Sequence, residues 1–172
     1  MNFSIAVISA ILIAGVTADY ATVKVDVQRI QTDVAKLYQA LKTTSGTSYG
    51  EALAIDSASK TLVKDINTAN TDAQAVTSIT ATQAKALISI LSKTYVNVTG
   101  ASERLVALEP AFKKLGVAGI AKTDVNNVAS ATQTFGATLV SKVPSSVKSS
   151  ASALAAKYNS ALASAVAAYA SD

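Results

Sequence analysis

The sequence predicts an all-α fold, a single five-helix bundle of long amphipathic helices. Three observations carry that prediction. Apolar residues return at alternating steps of four and three, first at Val23, Val27, Ile30, Val34, Leu37 and Leu41. Helix-start and helix-stop residues punctuate the chain at intervals of about one helix length. Strand signals are weak throughout. With 3.6 residues per turn, the first ladder sets all six side chains on one stripe. Such stripes must be hidden against each other, against a surface or against a ligand, and the function turns on which.

The first helix is expected from about Thr22 to Lys42, ending in Thr43-Thr44-Ser45-Gly46-Thr47. Ser48 followed by Glu51 fits a capping box, in which each side chain satisfies an orphan backbone N–H. The second helix then runs to about Ala73, with Ile55, Leu62, Ile66, Ala69, Ala73 and Val76 on one face. Thr80 with Gln83 makes another capping box. It opens a third helix carrying Ala84, Ile88, Leu91, Tyr95, Val98, Ser102 and Leu105.

Pro110 has no N–H to donate and disfavours helix at Glu109. A stop or sharp kink is expected there, then a short turn through Phe112 to Leu115. Lys113 and Lys114 suit its C-terminal dipole, and Gly116 suits a left-handed cap. Thr123 or Asp124 is the expected start of the fourth helix, with Val125, Val128, Thr132, Phe135 and Leu139 inward. Val143-Pro144 ends it, and Pro144 fits the first helical position of the fifth. The last helix shows Val147, Ala151, Leu154, Tyr158, Ala161, Ala165 and Tyr169. It is Ala-rich and apolar around much of its girth, so it is predicted to be the most deeply enclosed.

Residues 1–18 read as a signal peptide. Phe3 to Ala14 is apolar, and Val16-Thr17-Ala18 supplies the small residues a signal peptidase needs, with cleavage between Ala18 and Asp19. The stretch is shorter than the roughly 20 apolar residues of a membrane span. Removing 18 of the 172 residues leaves 154, residues 19–172, the length of one domain. No second hydrophobic run follows. The mature chain is therefore expected to be exported, with no integral membrane span.

Cysteine and histidine are both absent. These zeros exclude Cys/His zinc sites, Cys-His nucleophilic pairs and a Ser-His-Asp triad. The net charge of +4 comes from 15 basic and 11 acidic residues. Apart from Lys113-Lys114 the lysines stand apart, without the basic face and interleaved aromatics of a nucleic-acid binder. Asp19, Asp26, Asp33 and Asp65 lie at helical spacing from basic groups and read as solubilising carboxylates. No catalytic constellation is evident, so no enzyme, metal or cofactor is expected. Asn97-Val98-Thr99 is an N-glycosylation sequon, either used or hidden by the helix it falls in.

The run Glu51-Ala52-Leu53-Ala54-Ile55-Asp56-Ser57-Ala58-Ser59-Lys60-Thr61-Leu62, followed by Ile66-Asn67, resembles a second-helix signature. The signature is that of the fungal hydrophobic surface binding protein A family, which includes the antigenic cell-wall galactomannoproteins. Glu109-Pro110-Ala111-Phe112 through Leu115-Gly116-Val117 resembles the family's Pro-containing turn, with Glu-Pro where Lys-Pro is usual. Val143-Pro144 and the closing Ala-rich helix are similar too, so the likeness spans about Asp19 to Tyr169. It implies a secreted or wall-associated, often glycosylated helical protein without catalytic residues. Such proteins adsorb to hydrophobic surfaces or hold long-chain fatty acids in an apolar channel between helices. A secreted hydrolase, or cell-wall polysaccharide, is the macromolecular partner implied.

The inward positions expected to line an acyl channel are Leu62, Ile66, Leu91, Leu105, Phe135, Leu139, Leu154, Tyr158 and Leu162. The competing expectation is a structural wall mannoprotein whose stripes, and whose aromatics Tyr38, Tyr95, Tyr158, Tyr169, Phe112 and Phe135, are ordinary core. A binder of apolar guests requires an incompletely filled interior, and a structural module a dense one.

Overall fold

The computed structural model describes residues 19–172, so the expected leader and its cleavage after Ala18 lie outside the described residues. Five helices follow: α1 (Tyr20–Thr43), α2 (Tyr49–Ala75), α3 (Ala81–Leu115), α4 (Ala118–Lys142) and α5 (Ser145–Ala168). No helix among the described residues is long and apolar enough to cross a membrane. Short loops make the helices run alternately up and down. In space each helix has two main neighbours, in the order α1, α2, α4, α5, α3 and back to α1. The chain thus closes a ring of five helices, with α3 and α4 touching only weakly across it.

The first stripe behaves as its spacing requires: Val23, Val27, Ile30, Val34, Leu37 and Leu41 are all buried. Asp19 caps α1, its carboxylate accepting from Thr22 N at 2.9 Å. Thr80 and Gln83 form the full capping box, with bonds of 2.8 and 3.3 Å. Ser48 Oγ accepts from Glu51 N at 3.3 Å. Glu51 does not return the bond, which corrects the capping box expected there. Its carboxylate instead accepts from Thr44 Oγ1 at 2.7 Å and Ser45 N at 3.1 Å, so it organises the α1–α2 loop. Gly116 ends α3 in the left-handed region, with φ at 79°.

Further expectations need correction. First, α3 does not stop at Pro110 but continues unbroken to Leu115, so there is no separate short turn. The carbonyl that Pro110 leaves unpartnered is that of Val106, which is exposed and can bond water. Leu108 and Phe112, both 2% exposed, hold the helix to the core on either side. Packing therefore outweighs the local preference of proline. Second, α4 starts at Ala118 rather than at Thr123 or Asp124, because Val117, Ala118 and Ala121 are buried and extend its apolar face. Pro144 correspondingly sits at the N-cap of α5 rather than inside it. Third, α5 is not the most enclosed helix. It buries five residues against eight in α1, because the small side chains of an Ala-rich helix leave much of its girth facing water.

Basic side chains tie helix ends across the bundle, a role their scattered spacing did not reveal. Arg104 of α3 donates from Nε to Leu41 O at 3.0 Å and from Nη2 to Thr44 O at 2.8 Å, capping the C-terminus of α1. Lys142 of α4 donates to Gln74 O and Val76 O at the end of α2, at 2.7 and 2.8 Å. Lys122 of α4 does the same for Ala170 O and Asp172 O beyond α5. Each satisfies carbonyls that a helix end leaves orphaned, with a charge of the sign the helix dipole favours. Arg104→Ala is expected to cost about 2 kcal/mol, measured by urea unfolding, with Arg104→Lys recovering only part of the loss.

Candidate functional site: the bore of the helix ring

A ring of five helices is hard to fill. With neighbouring axes about 9 Å apart, the five axes lie about 8 Å from the centre. A helix with its side chains has a radius of about 5–6 Å, so a bore of a few Å remains unless long residues enter it. Many inward positions here carry short side chains, among them Ala52, Ser59, Ala84, Ala101, Ser102, Ala121, Ala151 and Ala165. Two cavities result.

The first, about 60 Å³, is lined by residues from all five helices, including Leu37, Leu62, Leu105, Phe112, Val128 and Leu162. The second, also about 60 Å³, lies toward the opposite end between α3, α4 and α5, among Leu87, Leu91, Leu139, Leu154 and Tyr158. Each has room for roughly four to six water-sized groups, yet apolar walls give water few partners. On α5, Leu162 faces the first cavity and Tyr158 the second, one turn apart. Tyr158 is pinned between them: its Oη donates to Leu91 O at 2.7 Å and its ring lies 5.5 Å from that of Tyr95. Burial raises the Tyr158 phenol well above its ordinary pKa, so it stays a donor. Leu53 lines the first cavity and is 46% exposed, so the cavity reaches the surface beside it.

The polar groups near this bore are unusual. Asp124 lines the first cavity and is 8% exposed. Burial, and then the negative charge of Asp56, push its carboxyl up to about 7, against a weaker pull from Lys60. Along the α1–α2 seam, Asp26 and Asp33 are 4% and 6% exposed. They face Asp72 and Asp65 of α2 respectively. Arg29 and Lys36 each reach one carboxylate oxygen at 3.2 Å, while the second oxygens, Asp26 Oδ2 and Asp33 Oδ2, are sealed without a donor. Burial first, and then the facing carboxyl, raise Asp26 and Asp65 above the ordinary carboxylate range. Asp26 and Asp33 are therefore not solubilising groups; each shares a buried seam with a second acid.

Residues 20–141 match the family model described as hydrophobic surface binding protein A. The chain belongs to that family. Solved structures share its fold: AFMP4P in complex with palmitic acid superposes with a TM-score of 0.83 at 24% identity, covering 88% of this chain and 99% of that one. Ligand-binding domain 1 of the Penicillium marneffei MP1 protein, complexed with arachidonic acids, gives 0.81 at 17% identity, with coverages of 88% and 99%. Domain 2 of the same protein, complexed with multiple arachidonic acids, gives 0.82 at 16%, with 91% and 99%. No curated protein sequence matches the chain.

Within this HsbA bundle the nine residues expected to line a channel divide three ways. Leu62, Leu105 and Leu162 line the first cavity. Leu91, Leu139, Leu154 and Tyr158 line the second. Ile66 and Phe135, 4% and 5% exposed, border neither cavity and pack in the core. Spacing places a residue on the inward stripe but does not say whether its neighbours close around it. Asp124 was missed as a lining group because it read as a helix start. The signal was present: Ala121, Asp124 and Val128 follow the inward spacing. Asn97 falls in the middle of α3, half-buried, and Thr99 Oγ1 already donates to Tyr95 O at 3.1 Å.

A carboxyl whose folded pKa exceeds its unfolded value binds its proton more tightly in the native state. The stability it supports is full below the unfolded pKa and is lost as pH rises through the folded one. The HsbA bundle is thus expected to melt at lower temperature at pH 7.5 than at pH 4.5. Asp26→Asn and Asp124→Asn should each raise stability at pH 7.5, by on the order of 2–4 kcal/mol, with the gain vanishing near pH 4 in a pH series of thermal melts.

Proposed function

We propose that this protein is a non-enzymatic binder of long acyl chains, which it takes into the bore of its helix ring. The observation that carries the reading is the pair of apolar cavities stacked along that bore, one open beside Leu53. Each methylene moved from water into such a cavity contributes about 0.8 kcal/mol, so a long chain binds well with few polar contacts. The proteins of the same fold that were solved with palmitic and arachidonic acids support the class of guest.

The two cavities together are short of the volume of a palmitoyl chain. A guest of that length requires the helices to part slightly and Tyr158 to swing aside, joining the cavities. Short inward side chains make such breathing inexpensive, because few close contacts are lost.

The extracellular setting belongs to the same proposal and rests on the leader-like composition of residues 1–18. Outside the cell, whether free or in the wall, the protein would carry acyl chains or help a secreted hydrolase reach an apolar substrate. Asn97 would accept a glycan only before α3 winds around it. Adsorption to a bulk hydrophobic surface needs more than the closed bundle offers. Its exposed large apolar side chains, Val25, Tyr49, Leu53, Val96 and Val106, are spread over three helices. Stripes would have to leave each other to meet such a surface.

The first test is organic extraction of the purified protein followed by mass spectrometry, with saturable uptake of a fluorescent fatty acid alongside. No extracted lipid and no uptake would overturn the reading. Ala121→Leu, which fills the first cavity, should lower acyl uptake at least about tenfold while leaving stability equal or higher by about 1 kcal/mol. Ordinary core at this position would show the opposite pairing, lost stability and unchanged uptake.

A further inference from the structure

The first cavity contains one strongly polar side chain, whose hydrogen-bonding neighbour in the bundle is a second acid, Asp56. Asp124 is more than nine-tenths buried, in a wall otherwise composed of apolar residues and the serines Ser59 and Ser102. Lys60 does not reach in to neutralise it. Its ammonium lies 2.8 Å from Asp56 Oδ1 and 2.9 Å from Oδ2, and its side chain is 70% exposed. From solvent inward, the order is therefore Lys60, Asp56, Asp124 and cavity, across the seam between α2 and α4. The cavity reaches the surface at this same seam. Leu53 stands one turn before Asp56 on α2, and Ile120 one turn before Asp124 on α4. An acyl guest that enters tail first beside Leu53 leaves its head at the level of Asp124.

We infer that Asp124 is the head-group anchor of the cavity, holding a fatty acid by a proton shared between its own carboxyl and the ligand's carboxylate. This inference rests on the acyl-binding reading and makes it more specific. A carboxylate head cannot sit beside an ionised Asp124 in an apolar wall, since two like charges there would be both desolvated and repelled. With the proton on Asp124, its O–H exchanges the Asp56 carboxylate, which Lys60 already neutralises, for that of the ligand, and the new bond is charge-assisted and stronger than a neutral one. A fatty alcohol needs no such proton: its own O–H donates to Asp124 in the ionised form.

The charged groups that act on Asp124 are Asp56 and Lys60 of α2. The lining residues of α1, α3 and α5, such as Val34, Leu105 and Leu162, add no titratable group. Because burial holds the Asp124 carboxyl up to about 7, the anchor carries its proton in mildly acidic media and must acquire one to bind a carboxylate in alkaline ones. Acid binding should consequently weaken about tenfold per pH unit above that point, with about one proton taken up per ligand. Alcohol binding should not weaken.

The experiment is isothermal titration of lauric acid and of dodecanol, below their self-association limits, into the native protein and Asp124→Asn between pH 5.5 and 9. Buffers of differing ionisation enthalpy report the protons exchanged. The Asn side chain offers N–H donors at every pH, so its acid affinity should be flat and should exceed the native value at least about tenfold at pH 8.5. Comparing the two proteins cancels the ligand's own titration. Coincident acid profiles for the two proteins, or no proton uptake by the native protein at pH 8, would overturn the anchor while leaving acyl binding intact. Failure of the native protein to bind either ligand would overturn acyl binding itself, and the anchor with it.

Discussion

The rest of the structure depends on a problem of packing. Five helices arranged in a ring leave more space at the centre than helical side chains of ordinary length fill unaided, and this chain supplies short ones at many of the inward positions. A fold normally closes such space, because voids forfeit dispersion contacts and cost stability. Here the stripes of α1 and α2 are dense enough to hold the bundle, with Leu41, Val27 and Ala69 fully buried. The looser packing is confined to the bore. Stability and capacity for a guest thus come from different parts of the same stripes.

Much of the fold could be read from residue spacing, and the reasons for what could not are specific. The α1 stripe, the Thr80–Gln83 capping box and the left-handed Gly116 are local features, set by residues within one or two turns of each other. The errors at Pro110 and at the start of α4 have a common cause. In both, burial of apolar residues beyond the local signal, Phe112 in one case and Val117 in the other, extends helix where the nearby residues argue for an end. The same limit governs the site. Leu62 and Leu139 border a cavity while Ile66 and Phe135, on the same inward stripes, border neither, and no periodicity distinguishes them.

Acidic residues were the least legible part of the chain. Asp26 and Asp33 each have a basic residue three positions on, the usual pattern of a solvated face. Only the tertiary arrangement reveals that both point into the α1–α2 seam, toward Asp72 and Asp65, just as Asp124 points toward Asp56 across the α2–α4 seam. All three pairs involve α2. That helix is held by apolar contacts and by facing acids at once, so proton concentration acts on its two interfaces more than on any other.

The cross-helix caps have a mechanical consequence. Arg104 binds α1 to α3, Lys122 binds α4 to the end of α5, and Lys142 binds α4 to the end of α2. Like staves under a partial hoop, α2 and α4 are strapped at the Lys142 rim, where Thr138 Oγ1 also donates to Asn70 Oδ1 at 2.7 Å. At the far rim, where Leu53 and Ile120 flank the opening, no basic side chain among the described residues caps one helix from the other, and only the proton-dependent Asp56–Asp124 contact lies nearby. The seam is hinged at one end and loose at the other, which directs any widening of the bundle sideways between these two helices rather than through its ends.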